Sequence, residues 1–193
     1  EFRRVLFRSK EINHHGVSVV ELSFDSNGAI NGYKLDSALN RRVSPNTVVD
    51  VKGPAAHLAA IRTMFVTRFD PSGATARGTL NNCGSGRTPW GTYLTCEENW
   101  AFYFNMPSGA TVPSDSKLMT SRSRYGVASA APQGATGKLL TQGWFTATDS
   151  GDYRFARWNI AAAGASSADD FRQEPQTFGY NLEIDPEIGR AHV

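Results

Sequence analysis

The residues best suited to chemistry lie in one segment, residues 81–99, where a cysteine precedes two adjacent carboxylates. Cys83 sits in a loop punctuated by glycines, which permit tight backbone turns beside the thiol. Glu97 and Glu98 follow a strand-like run that begins after a proline. A thiolate with carboxylates is a mixed ligand set, because sulfur suits transition metals whereas carboxylates suit Ca²⁺ or Fe³⁺.

The run between the cysteine loop and the glutamates predicts a strand whose side chains alternate between two faces. One face would carry Trp90, Thr92, Leu94 and Cys96, and the other would carry Tyr93, Thr95 and Glu97. Glu97 and Glu98 then point apart unless the strand ends or bulges there. By spacing alone the metal interpretation stays open against two structural thiols or a Cys83–Cys96 disulfide.

The elements that must position this segment are predicted to be mainly strands. The 193 residues suit one domain, and 18 glycines with few helix-forming runs favour turns and strands. Strands are expected at 15–24, 29–35, 61–69, 74–80, 90–98, 100–104, 139–148, 153–160 and 178–184, one short helix at 53–60, and a long loop at 106–137. Many short strands separated by turns indicate an all-β sandwich, barrel or propeller.

The two ends of the chain, residues 1–9 and 188–193, resemble translated sequencing adapters, so we expect the natural domain to span 10–187. Without the four arginines and one glutamate of these ends, 16 basic and 17 acidic residues remain, and the net charge changes from +2 to −1. The charge therefore gives no indication of a nucleic-acid partner. The sequence also has no apolar stretch near the ~20 residues that cross a bilayer.

The stretch NNCGSGRTPWGTYLTCEENWAFYF at residues 81–104 resembles the PhoX-type alkaline phosphatase family around its Asn-Cys, TPWGT and CEEN motifs. Further pieces fall in family order: HGVSVVEL, GPAA, FDPSGATARGTLNNC and QEPQTFGYNLEIDP. The similarity covers nearly all of residues 10–187, and the central motif is long and specific.

The resemblance implies a partial β-propeller-like domain with few short helices, and an iron and calcium cluster that hydrolyses phosphomonoesters. It implies a periplasmic or extracellular location after twin-arginine export. Carried onto this chain, Cys83 would bind iron, and Glu97, Glu98 and Glu183 would supply metal-binding carboxylates. Asp185 shares the face of Glu183 by its period of two and is a further candidate.

Arg87, close after the cysteine loop, is a candidate to bind a substrate phosphate. The alternative is a solvated surface side chain, because the family does not reliably have arginine at this position. Family members continue far beyond Glu183, so we expect this chain to be an internal fragment, inactive alone, that holds part of the cluster. Two other interpretations remain at this point. One is a non-catalytic β-propeller binding module, and the other is a calcium-dependent propeller esterase or lactonase, which would leave the thiol unexplained.

Overall fold

The structure is a computed structural model that describes residues 2–127, 143–147 and 151–193, with side chains from residue 5 onward. Strands predominate in these residues, as expected, but three α-helices accompany them. The loop predicted at 106–137 is wrong in its middle, because Ser116–Tyr125 forms a helix whose first turn is capped by Asp115. The strand predicted at 139–148 is wrong where the structure describes it, since Trp144–Thr146 is a 3₁₀ helix. Residues 139–142 and 148 of that strand and the end of that loop lie outside the described residues. Within the described part of the chain, no helix is both long and apolar enough to span a membrane.

The described strands are short. They are β1 (Val17–Val19), β2 (Leu22–Phe24), β3 (Ile30–Tyr33), β4 (Arg41–Val43), β5 (Val48–Asp50), β6 (Thr75–Arg77), β7 (Asn82–Arg87), β8 (Tyr93–Glu97), β9 (Asn181–Ile184) and β10 (Ala191–His192). The described α-helices are α1 (Phe2–His14), α2 (Ala59–Phe65) and α3 (Ser116–Tyr125). Short 3₁₀ helices occur at Trp100–Tyr103, Trp144–Thr146, Ala156–Trp158 and Glu174–Thr177.

Six strands form the main sheet, in the order β6-β5-β10-β9-β8-β7. Its pairs are antiparallel except for β10 with β5, which is parallel. Two separate two-stranded sheets pair β1 with β4 and β2 with β3. All three sheets are open, so β7 lies at one edge of the main sheet and β6 at the other.

The hairpin of β2 and β3 confirms the turn that the sequence predicts at residues 25–28. The Asp25 carboxylate accepts the N–H groups of Asn27 and Ala29, and Gly28 has a φ of +79°. This turn chemistry is local, which is why the sequence predicts it. The strand predicted at 15–24 is interrupted, because its first part, β1, pairs with β4 instead.

Two apolar clusters fill the interior. The smaller one lies on one face of the main sheet, and its buried members are Val43, Val49, Ala76, Leu182, Ile184 and Ala191. The larger one is rich in aromatic rings and includes Tyr103, Phe104, Trp144, Phe155, Trp158 and Phe178. Edge-to-face and tilted ring contacts, such as Trp144 on Trp158 at 4.7 Å between centroids, hold this cluster together.

Several predicted elements are wrong. The strand expected at 61–69 is largely helix α2, because alanine, arginine and methionine favour the helix while Phe65 buries its ring. The helix expected at 53–60 is mostly turn, since α2 begins only at Ala59. The aromatic segments expected as strands at 100–104 and 153–160 contain 3₁₀ turns, whose side chains enter the core without strict alternation.

Candidate functional site

The cysteine loop is a bulge at the edge of the main sheet. Asn82 is paired with Glu97, but the next paired residues are Ser85 and Thr95, so β7 holds one more residue than β8 in this interval. Such a bulge breaks the pairing and turns a side chain outward. Cys83 lies inside it and is exposed.

The bulge brings the Cys83 thiol to the Glu98 carboxylate, with which it forms a side-chain hydrogen bond. Glu98 is exposed and lies one residue beyond the end of β8. The hydrogen bond to Glu98 and the negative charge of that carboxylate raise the pKa of Cys83. Deprotonating the thiol would place two negative charges side by side, which is unfavourable unless a cation joins them.

Asn81 ties the backbones of the two loops together. Its main-chain oxygen accepts the Glu98 N–H at 3.1 Å, and its side-chain Nδ2 donates to the main-chain oxygen of Glu98 at 2.5 Å. The Asn81 N–H donates to His15 Nδ1 at 3.0 Å, which anchors the loop to the interior. Both Asn81 and Asn99 have left-handed backbones, with φ of 50° and 51°. Asparagine tolerates this conformation better than most residues do.

Glu97 turns away from Glu98, as strand alternation predicts. Its Oε2 accepts the Gly179 N–H at 2.7 Å, and its Oε1 accepts the Leu80 N–H at 3.3 Å. Burial raises the pKa of Glu97 to about 7, and this effect outweighs the opposing effect of the N–H groups. Glu97 therefore joins two loops to the end of β8.

Glu183 lies on the other face of the sheet from the small apolar cluster. Its Oε1 accepts Trp90 Nε1 at 2.6 Å and Thr92 Oγ1 at 2.5 Å, and its Oε2 is 3.2 Å from His192 Nε2. The hydrogen bonds from Thr92 and then Trp90 lower the pKa of Glu183. Leu94 is its register partner, so Glu183 shares the predicted face of Trp90 and Thr92.

The remaining predicted residues lie apart from this carboxylate. Asp185 Oδ1 accepts the N–H groups of Glu187 and Ile188, at 2.9 and 3.1 Å, and so closes the turn before β10. Arg87 is exposed at the far end of β7, opposite Tyr93.

Both cysteines are free thiols, so the alternative of a Cys83–Cys96 disulfide is wrong for this structure. Cys96 is partly buried, and its Sγ lies 3.6 Å from where a Cβ on Gly84 would be. The alternative of two buried structural thiols also fails for Cys83, which is exposed.

The predicted metal ligands therefore occupy separate places. Cys83 and Glu98 are in contact, whereas Glu97 and Glu183 each use their oxygens for other hydrogen bonds. Across residues 2–127, 143–147 and 151–193, no three His, Cys, Asp or Glu side chains are grouped so that they could hold a metal ion. The Cys83–Glu98 pair fits a metal as two adjacent donors, one soft and one hard, and as no more than part of a cluster.

Sequence reasoning missed two residues of this site. Asn81 and His15 hold the loop that presents Cys83, but neither has a side chain aimed at the thiol. The Asn-Asn-Cys-Gly run contained the available indication, since asparagine and glycine together favour left-handed turns. The contact with His15 joins residues far apart in the chain, and local patterns cannot predict it.

A family model described as alkaline phosphatase PhoX matches residues 5–192. The chain belongs to the PhoX alkaline phosphatase family. A solved structure of PhoX from Pseudomonas fluorescens, described as a complex with vanadate, a transition state analogue, is similar, with 29% identity and a TM-score of 0.61. The similarity covers 92% of the 193-residue chain and 25% of the Pseudomonas fluorescens chain. The 193-residue chain therefore spans about a quarter of the length of that relative. No curated protein matches the chain.

Proposed function

We propose that the whole protein is a PhoX-type alkaline phosphatase that hydrolyses phosphomonoesters, and that this chain supplies the Cys83–Glu98 part of its site. The supporting observation is the contact of an exposed thiol with an exposed carboxylate in a sheet-edge bulge. The family match over residues 5–192 supports the interpretation of this contact as part of a phosphatase site. The vanadate described for the solved relative is an analogue of the transition state, which favours a small phosphate ester as substrate.

We propose Fe³⁺ and Ca²⁺ as the cofactors. Bound metal ions would act as Lewis acids and offset charge on the transferring phosphoryl group. Within this chain, Cys83 would be the soft ligand to iron and Glu98 a hard carboxylate ligand. Because a metal binds the thiolate, the proton that Cys83 shares with Glu98 must leave when the metal binds.

Three carboxylates remain proposed as further ligands. Glu97, Glu183 and Asp185 accept hydrogen bonds from protein donors, and a metal would have to replace these bonds. Arg87 is proposed to bind the phosphate, since its exposed guanidinium offers a two-pronged donor.

The wider context is proposed on the same family basis. Residues 10–187 would form part of a β-propeller domain in a periplasmic or extracellular enzyme. Residues 1–9 and 188–193 would be non-native ends. The 193-residue chain by itself is expected to be inactive, because two adjacent donors do not complete a metal cluster.

The decisive experiment compares Cys83→Ala with Cys96→Ala in the whole protein. Iron and calcium content would be measured by mass spectrometry, and hydrolysis would be followed with a phosphomonoester. We expect Cys83→Ala to lose iron and activity together, while Cys96→Ala, a matched loss of a thiol, retains both. Full iron content and full activity in Cys83→Ala would contradict the proposed ligand role.

A further inference from the structure

A cavity of about 410 Å³ lies between helix α3 and the segment that follows the Glu174–Thr177 turn. We call it the α3 cavity. Its volume falls within the range of small-molecule sites. Neither Cys83 nor Glu98 is among its described lining residues, so an inference about it does not rest on the proposed phosphatase activity.

One wall of the α3 cavity is a polar stripe of the helix. Lys117, Thr120, Ser121 and Arg124 line it at spacings of three, four and seven residues, which places them on one helix face. Ser121 Oγ donates to Gln176 Oε1 at 3.1 Å, so this stripe contacts the opposite wall. Seven residues of helix separate the two cations by about 10 Å, a span that two extended side chains can bridge.

The two cations of the stripe lack a countercharge. Lys117 and Arg124 are exposed, and neither forms an ion pair with any residue that the structure describes. The described lining of the cavity contains no aspartate or glutamate. Asp115 is near in sequence, but its side chain caps α3 by accepting the Leu118 N–H at 2.9 Å. This wall therefore favours an anion.

The facing part of the cavity is aromatic. Trp100 packs against Tyr125 with 5.7 Å between ring centroids, and Tyr180 completes the group. Tyr125 and Tyr180 are 58% and 40% exposed, so ring surface remains available to a ligand. Gly179 allows the close approach of Trp100, because a Cβ there would lie 2.5 Å from the indole Nε1. Aromatic walls favour a flat apolar ring.

We propose that the α3 cavity binds a planar aromatic ring that carries an anionic group of the phosphate monoester class. The ring packs on Trp100, Tyr125 and Tyr180, while the anion lies between Lys117 and Arg124. Each half of the ligand alone satisfies only one wall. A molecule that carries both halves is therefore expected to bind more tightly than either half alone.

The test uses calorimetric titration of the whole protein with phenyl phosphate, in the presence of a chelator that removes metal ions. Phenol supplies the ring without the anion, and inorganic phosphate supplies the anion without the ring. We expect saturable binding of phenyl phosphate, with each control ligand weaker by at least about tenfold. The proposal fails if phenyl phosphate gives no saturable binding or if inorganic phosphate binds equally well.

Variants locate the bound ligand. We expect Arg124→Ala to weaken phenyl phosphate binding about tenfold through loss of a charge-assisted contact, and Tyr125→Ala to weaken it severalfold. Arg62→Ala is the matched control, because Arg62 is also an exposed arginine on a helix but does not line the cavity. Equal affinities for Arg124→Ala and Arg62→Ala would overturn the proposal.

A final variant separates this site from the proposed metal site. Cys83→Ala is expected to keep the affinity for phenyl phosphate, since Cys83 does not line the α3 cavity. Loss of binding in Cys83→Ala, with binding retained in Arg124→Ala, would place the ligand at the Cys83–Glu98 pair and overturn the inference. Inactivity of the whole protein would instead affect the proposed function alone.

Discussion

The Cys83 thiol is hydrogen-bonded to the Glu98 carboxylate, and the two groups meet because β7 bulges opposite Cys96, one residue before the end of β8. The carboxylate acts on the thiol in two ways, as a hydrogen-bond acceptor and as a negative charge. Both effects favour the protonated thiol, so without a metal this cysteine should react slowly with electrophiles.

Replacing Glu98 with glutamine should lower the pKa of Cys83, because the amide removes the charge that opposes the thiolate. Alkylation of Cys83 by iodoacetamide would be followed against pH by peptide mass spectrometry. The midpoint of the Glu98→Gln profile is expected below that of the wild type. The Cys96 peptide, read from the same samples, is the internal control. Coincident Cys83 profiles would show that Glu98 does not control the thiol.

Asn81 should contribute to stability through both its backbone conformation and its amide. Asn81→Ala loses the amide bond and leaves an alanine at a φ of 50°, for an expected cost of about 2 kcal/mol. Asn81→Gly loses the amide bond but adopts this φ freely, so its free energy of unfolding should lie between those of wild type and alanine variant. Urea denaturation measures all three. A glycine variant no more stable than the alanine variant would exclude a cost from the left-handed backbone.

Glu97 should make stability depend on pH. Its pKa is about 7 in the folded chain against an ordinary value of 4.5, so between these values the folded state holds a proton that the unfolded state has released. This contribution is complete below pH 4.5 and is lost as the pH rises through 7.

The wild type should therefore lose stability relative to Glu97→Gln as the pH rises across that window. The change is on the order of 2 kcal/mol, given the partial exposure of Glu97. Denaturation curves for both proteins at several pH values give the difference directly, and the glutamine still accepts one N–H from the loops. A difference that stays constant with pH would mean that burial does not shift this carboxyl.

Arg157 and Glu174 form an ion pair that is fully buried in the interior. Arg157 is 0% exposed and Glu174 is 1% exposed, and the guanidinium also donates to the main-chain oxygens of Pro45 and Arg77. Glu174→Gln leaves the buried guanidinium without its countercharge, which should cost about 3 kcal/mol in the free energy of unfolding.

Asp50→Asn is the matched control for that substitution. Asp50 pairs with Lys52 at 3.6 Å, but both side chains are more than half exposed, so solvent screens the attraction. The control should unfold almost as the wild type does in the same denaturation experiment. If Glu174→Gln behaved like this control, the interior pair would not be desolvated.

Local features of the fold were predictable from sequence. The turn at Asp25 to Gly28 and the strand that became β9 depend on neighbouring residues, and both appear where they were expected. The strand predicted at 153–160 is wrong, because Ala156–Trp158 forms a 3₁₀ helix. The aromatic rings of this stretch pack into a core that surrounds them, and so it needs no two-faced strand. Composition alone does not separate these cases.

The candidate site was predictable only in part. Alternation along β8 anticipated that Glu97 and Glu98 point apart, and the structure shows why: Glu97 is held by Gly179 while Glu98 meets Cys83. The bulge that makes the second contact depends on the pairing of two strands. Such pairing is set by register, which the pattern of one strand does not specify.

The main sheet is continuous only because β10, two residues long, fills the place between β5 and β9. His192 is paired with Asp50 on one side and with Glu183 on the other. A chain cut after residue 187 would lack these hydrogen bonds, and the β5–β6 pair would contact β9 only through the side chains of the small apolar cluster. Six terminal residues thus supply the backbone hydrogen bonds that join the half of the sheet carrying Cys83 to the other half, and they add to the coupling that the small apolar cluster provides.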